Sequence, residues 1–269
     1  MKFAVSNIAL SAFDHTDDFG HLAAMGLSGL EVAPSRVWRN TWRGLTTLEV
    51  NDYRRRAEQA GLRIVGLHSL LYDQPDLALF GDTETLRRTL DFMTHLSTVC
   101  RDLGGRTLIW GSGRKRGQLS PDDARDQAVA FFRDLHPRIA DHGTCFCLEP
   151  LGPGDSDFVN SVRESIAIVE AVGQPSLGVQ MDAKALVENQ EADEVTFRAA
   201  KPHLVHFHAN EPGLEVLGSS GEVDHAFMGT TLRDIGYQGY VSIEQKMTNE
   251  ADPLAAVAAG AEQLRKHYQ

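Results

Sequence analysis

The sequence predicts a single-domain α/β protein, a (β/α)8 or TIM barrel spanning residues 1–269. Three observations carry that expectation. Eight short apolar or β-branched runs alternate with eight amphipathic segments of helical period. No low-complexity tract, charge block or linker interrupts them. Metal-capable side chains recur at the C-terminal ends of the later runs, the end where such barrels carry their chemistry.

In chain order, a first strand is expected at 3–6, then a helix at 15–25 closed by Gly26. The run "GLEV" gives a strand at 29–32, followed by a helix at 47–60 and Gly61. A third strand at 63–68 leads to a helix at 83–103 and Gly104. "TLIW" is the fourth, 107–110; Ser120-Pro121 then caps a helix at 121–142 that stops at Gly143. The fifth strand is 144–148, and Ser161 with Glu164 forms a capping box for a helix at 161–172 before Gly173. Strands at 177–181, 204–208 and 240–243 alternate with helices at 193–200, 227–235 and 253–267, the second closed by Gly236. A doubly wound open sheet is the alternative, but no G-x-G-x-x-G follows the first strand.

The formal net charge of −11 argues against nucleic acid or an anionic membrane as partner. Three cysteines, Cys100, Cys145 and Cys147, cannot all pair and read as free thiols in a reducing compartment. The amino-terminal stretch makes a poor signal peptide, and no run reaches the roughly 18 apolar residues of a membrane span. A cytoplasmic enzyme is expected.

Four strands share one pattern. In "TCFCLEP" the phase of Glu149 includes Cys147 and Cys145, while Leu148 and Phe146 take the other face. In "LGVQMDAK" Asp182 goes with Gln180; in "LVHFHAN" His208 goes with His206; in "YVSIEQK" Glu244 goes with Ser242. Large apolar residues hold the helix-packing phase each time, and a metal-capable group ends the inward phase. Three carboxylates and an imidazole converging on one mouth repel unless a cation joins them. The oxygen-rich set favours one divalent ion, manganese first, with magnesium, cobalt or zinc as alternatives.

At these motifs the chain resembles the xylose isomerase-like TIM-barrel superfamily of sugar isomerases and epimerases, which includes tagatose/psicose 3-epimerases, hydroxypyruvate isomerases and inosose dehydratases. "LEP" (148–150), "QMD" (180–182), "HFHANEPG" (206–213) and "GYQGYVSIE" (236–244) carry the resemblance, with "GLEV" and "GLHS" weaker. It implies one catalytic divalent metal on Glu149, Asp182, His208 and Glu244, with Glu149 and Glu244 also moving protons. It implies proton abstraction beside a carbonyl through a stabilised enediolate, a small sugar or sugar derivative as substrate, and association into homo-oligomers. His206 is expected to lie behind His208 or to contact substrate. His68, Glu31, Trp110, Arg114, Asp155, Lys184 and Lys246 are further substrate-binding candidates; Trp38 and Trp42 are two more stacking platforms, and His225 is read as a surface residue.

The chain also departs from the ketohexose epimerases, which place a histidine where Ala185 stands and an arginine where Leu214 stands. Those two positions argue against a strict ketohexose epimerase. Because the ligand set equally permits loss of a β-leaving group, a lyase or dehydratase on a keto-sugar or keto-glycoside is the second reading. An endonuclease IV-like phosphodiesterase and a sugar-binding barrel without chemistry are the others.

Overall fold

The computed structural model describes residues 1–269. Eight parallel strands close into one barrel: β1 (Lys2–Ser6), β2 (Gly29–Val32), β3 (Arg63–Leu67), β4 (Thr107–Trp110), β5 (Cys145–Leu148), β6 (Leu177–Asp182), β7 (Leu204–Ala209) and β8 (Tyr240–Ile243). β1 shuts the ring on β8, with Lys2 opposite Tyr240 and Ala4 opposite Ser242. The connecting helices are α1 (Phe19–Ala24), α2 (Thr47–Gln59), α3 (Thr83–Asp102), α4 (Pro121–Ile139), α5 (Val162–Val172), α6 (Ala183–Glu188), α7 (Glu194–Ala200), α8 (His225–Asp234) and α9 (Pro253–Tyr268).

Local signals explain the helix ends. Thr46 and Glu49 form a capping box at α2, while Ser120 and Ser161 accept from the third backbone N–H of α4 and α5. Gly173 closes α5 in the left-handed region at φ 65°, where a Cβ would be strained. One helix departs from expectation. β6 runs directly into α6, because Asp182 is both the last strand residue and the cap whose carboxylate accepts from Ala185 N–H at 2.8 Å.

Alternate strand residues face the helices, where Trp110 packs edge-on against Phe131 and Phe132, and Phe207 packs at a tilt against Phe197. The other phase points to the barrel axis and is polar through its middle: Ser6, Glu31, Gln180, His206 and Ser242 are all buried. That polar layer supports the mouth from below.

Candidate metal centre and active site

Glu149 follows β5, Asp182 ends β6, His208 lies near the end of β7 and Glu244 follows β8. Their donor atoms lie within 4.8 Å of one another. His208 is the hub. Its Nδ1 lies 3.3 Å from Glu244 Oε2, 3.4 Å from Glu149 Oε1 and 3.8 Å from Asp182 Oδ2. Although fully buried, Nδ1 has no hydrogen-bond partner. Its other nitrogen, Nε2, is 2.9 Å from Glu31 Oε2. An imidazole that donates from Nε2 turns the Nδ1 lone pair toward three carboxylates, an arrangement that calls for a cation. The donor set therefore fits a divalent ion.

Two of the three donor carboxylates, Asp182 and Glu244, are held from outside the cluster. Asn210 Nδ2 donates to Asp182 Oδ2 at 2.5 Å and to Glu244 Oε2 at 3.0 Å, while its Oδ1 accepts from Lys184 N–H. His68 Nδ1 lies 3.4 Å from Glu244 Oε1, and its Nε2 is 2.5 Å from Ser6 Oγ. Glu31 is fully buried; Ser242 Oγ donates to its Oε2 at 3.0 Å and His206 Nε2 lies 3.1 Å from its Oε1.

Burial and neighbouring charge separate these groups. Burial, with the charges of Glu244 and Asp182 nearby, pushes Glu149 up to about 7 against the pull of His208. Burial also works against ionised Glu244, but His208 and His68 hold it well below the usual carboxylate range. His208 is raised well above an ordinary histidine: burial opposes its charge, but Glu31, Glu244 and the other carboxylates favour it more. His206 is lowered, chiefly by burial.

Above the donors lies a cavity of ≈ 320 Å³ bordered by His68, Ser69, Leu151, Asp155, Glu149 and Glu244. Lys184 Nζ pairs with Asp155 Oδ2 at 2.7 Å, which places one charged pair at the rim.

The other candidates lie elsewhere. Trp110 borders the cavity, but its indole is packed among Phe131, Phe132 and Phe146 and donates to the Ser112 carbonyl, so it is not free to stack on a sugar. Trp38 packs against Tyr53 and Trp42 against Phe92. Arg114 is buried and donates to the carbonyls of Gly111, Glu149 and Phe158, tying the β4–α4 loop to the β5–α5 loop. Most of its donors are committed to these carbonyls. Lys246 turns outward to Glu215 at 2.6 Å. Glu31 and His206 sit beneath His208 rather than beside the cavity.

His225 is buried, not exposed: it bonds Glu211 at 2.8 Å and Tyr268 at 2.7 Å. Sequence reasoning missed Asn210 and Ser6, and placed Ser242 on the inward phase without giving it a role. Asn210 had a detectable signal, since an amide two residues after a buried strand's metal-capable residue has few ways to be satisfied except by the mouth.

The family model for the xylose isomerase-like TIM barrel matches residues 19–267. The L-ribulose 3-epimerase of Methylomonas sp. (strain DH-1) is 25% identical over 233 residues, covering 86% of this chain and 78% of that protein. A crystal structure of D-psicose 3-epimerase from Clostridium cellulolyticum H10 superposes with a TM-score of 0.84 at 17% identity, covering 100% of both chains. The 3-keto-D-glucoside 4-epimerase of E. coli gives 0.81 at 20% identity, covering 99% of each. With a closed eight-stranded barrel and a family match running from α1 into α9, this chain belongs to the xylose isomerase-like TIM barrel family.

Proposed function

We propose that this chain is a sugar isomerase or epimerase dependent on one divalent metal, acting by proton transfer at a carbon beside a carbonyl. The observation that carries the reading is the unpartnered Nδ1 of His208 facing three carboxylates under a cavity. The sugar epimerases among its relatives support the reaction class.

Glu149, Asp182, His208 and Glu244 would hold the ion, manganese first by the hardness of the set. Bound there, a divalent ion supplies Lewis-acid polarisation of a substrate carbonyl and offsets the charge of the three acids. Glu149 and Glu244 lie 3.4 and 3.3 Å from His208 Nδ1 and both border the cavity, so each reaches a substrate held in it. One carboxylate takes the proton from carbon while the bond's electron pair moves onto the carbonyl oxygen. Return of a proton to the opposite face gives the epimer; return to the neighbouring carbon, with the hydroxyl proton passing to the former carbonyl oxygen, gives the isomer. His68, bonded to Ser6 and facing Glu244, orients that carboxylate. Asp155 and Lys184 at the rim offer hydrogen bonds to sugar hydroxyls.

Position 185 is a buried alanine and position 214 a half-buried leucine. Neither can grip a polar ketose end, which favours a substrate other than a free ketohexose, such as a keto-glycoside. The test is incubation of the manganese-loaded protein with ketoses and 3-keto-glycosides in D₂O. Deuterium at one substrate carbon, lost in Glu149→Gln and Glu244→Gln, is the expected result. Turnover without exchange would overturn the mechanism, and an unsaturated product in place of deuterated substrate would select the lyase.

A further inference from the structure

The opposite end of the barrel holds a second hollow. (β/α)8 barrels are filled along their axis by layers of bulky side chains, so the interior is normally packed rather than open. Here the inward positions at the strand starts are only partly covered: Lys2 and Arg63 are exposed, and Cys145, Leu204 and Tyr240 are half-buried. Two residues further along the same strands the chain is buried, at Ala4, Val65, Cys147, His206 and Ser242. The unfilled basal layer forms a cavity of ≈ 580 Å³, larger than that over the metal donors. That volume is within the range of small-molecule sites, about 300–1,000 Å³.

Its charge is the second observation. Lys2, Arg63 and Arg106 all line this cavity, and none of the three makes an ion pair or a side-chain hydrogen bond. Most other arginines in the chain are paired or bonded to carbonyls. The single carboxylate on the wall, Glu58, lies 4.0 Å from Arg54 Nε. Lys2 Nζ stands 5.5 Å from the Tyr240 ring centroid, leaning over the same opening. In a protein of net charge −11, three unpaired cations converging on one concave surface are a local reversal of field. The deepest wall is His206, which lies 3.1 Å from Glu31.

We propose that the base of the barrel is a binding site for a small oxyanion, a phosphate- or carboxylate-bearing metabolite, held by Lys2, Arg63 and Arg106 and separate from the metal centre. The two arginines present planar forks suited to either oxyanion. The site stands whether or not the mouth is an epimerase.

Calorimetric titration of inorganic phosphate and of succinate into the full-length protein at constant ionic strength tests it. Arg63→Ala/Arg106→Ala and Asp182→Ala serve as the paired variants. Saturable binding of either anion, weakened about tenfold or more in the arginine variant and unchanged in Asp182→Ala, is expected. Phosphate alone would mark a phosphoryl ligand, succinate alone a carboxylate. Equal binding in the arginine variant, loss only in Asp182→Ala, or no saturation by either anion up to about 10 mM would overturn the proposal. The substituted arginines are exposed at the strand entries, so the thermal melt of the arginine variant should match the parent.

Discussion

Glu31 Oε2 and His208 Nε2 lie 2.9 Å apart although 177 residues separate them in the chain. The contact joins β2 to β7 across the axis and fixes which imidazole nitrogen faces the carboxylates. A carboxylate behind a ligating histidine fixes its tautomer and raises its basicity, and loss of such a partner typically costs about 10–100-fold in metal affinity. Glu31→Gln should therefore weaken Mn²⁺ binding by about that factor, measured by calorimetry, while the four donors remain in place. Unchanged affinity would mean that Glu31 only satisfies His206 and Ser242.

His208→Ala should abolish stoichiometric metal. Purified without chelator, the parent should carry about one divalent ion per chain by mass spectrometry, and the variant close to none. Metal retained by His208→Ala would place the ion elsewhere.

Asn210 spans Asp182 and Glu244 with one amide. Asn210→Ala frees both carboxylates and should weaken metal binding about tenfold, by loss of the hydrogen bonds that orient them. Asn210→Asp also removes both donors, but its added negative charge attracts the cation and should offset part of that loss. If both variants bind as the parent does, orientation from outside contributes nothing.

Metal-free protein should lose thermal stability as pH rises through about 7. Glu149 is raised above its ordinary value, so its contribution is present below the usual carboxylate range and is lost as pH climbs through about 7. His208, also raised, has the same sign: its contribution is complete below the ordinary histidine value and declines as the pH passes its folded value. Glu244 and Glu31 are depressed; their contributions are already complete above the usual carboxylate range and stay level here. Melting curves at about pH 5–8, with and without Mn²⁺, should show a gap that widens with pH, because bound metal requires the deprotonated donors. A gap that narrows would contradict the arrangement.

Arg114→Ala should destabilise the fold without passing through substrate affinity. It would leave the carbonyls of Gly111, Glu149 and Phe158 without their buried donor, at a cost of roughly 2–4 kcal/mol. Denaturant unfolding reads the loss. A raised KM in a variant of unaltered stability would restore Arg114 to the substrate site.

The strand order and the four donors were legible because a barrel strand alternates two faces. Phe146, Leu148, Phe207 and Ile243 declare the helix-facing phase, and whatever remains must point inward. The substrate candidates were less legible, because they sit on loops whose direction no period fixes. Trp110 is the opposite case. It stands at the end of β4 beside the mouth, yet belongs to the Phe146 phase, and the alternation that identified Glu149 already assigned its ring to the outside. Arg114 looked like a free cation in "GSGRKRG"; only the folded loops show three carbonyls converging on it. His225 was hidden differently, since its partner Glu211 sits in the loop before α8 and Tyr268 at the end of α9.

The wiring of β2 to β7 and β8 also sets an order of events in time. Glu31 is synthesised early, whereas Ser242, which donates to it, follows 211 residues later. β1 has only β2 as a partner until β8 emerges, and the mouth stays incomplete until Glu244 has left the ribosome. A growing chain therefore cannot assemble the centre in stages, and contacts of such long sequence separation form late in folding. An ion held by these donors, as proposed, would enter a finished barrel after translation. The metals free at that moment, as well as the donor set's own ranking, would then decide which one is taken up.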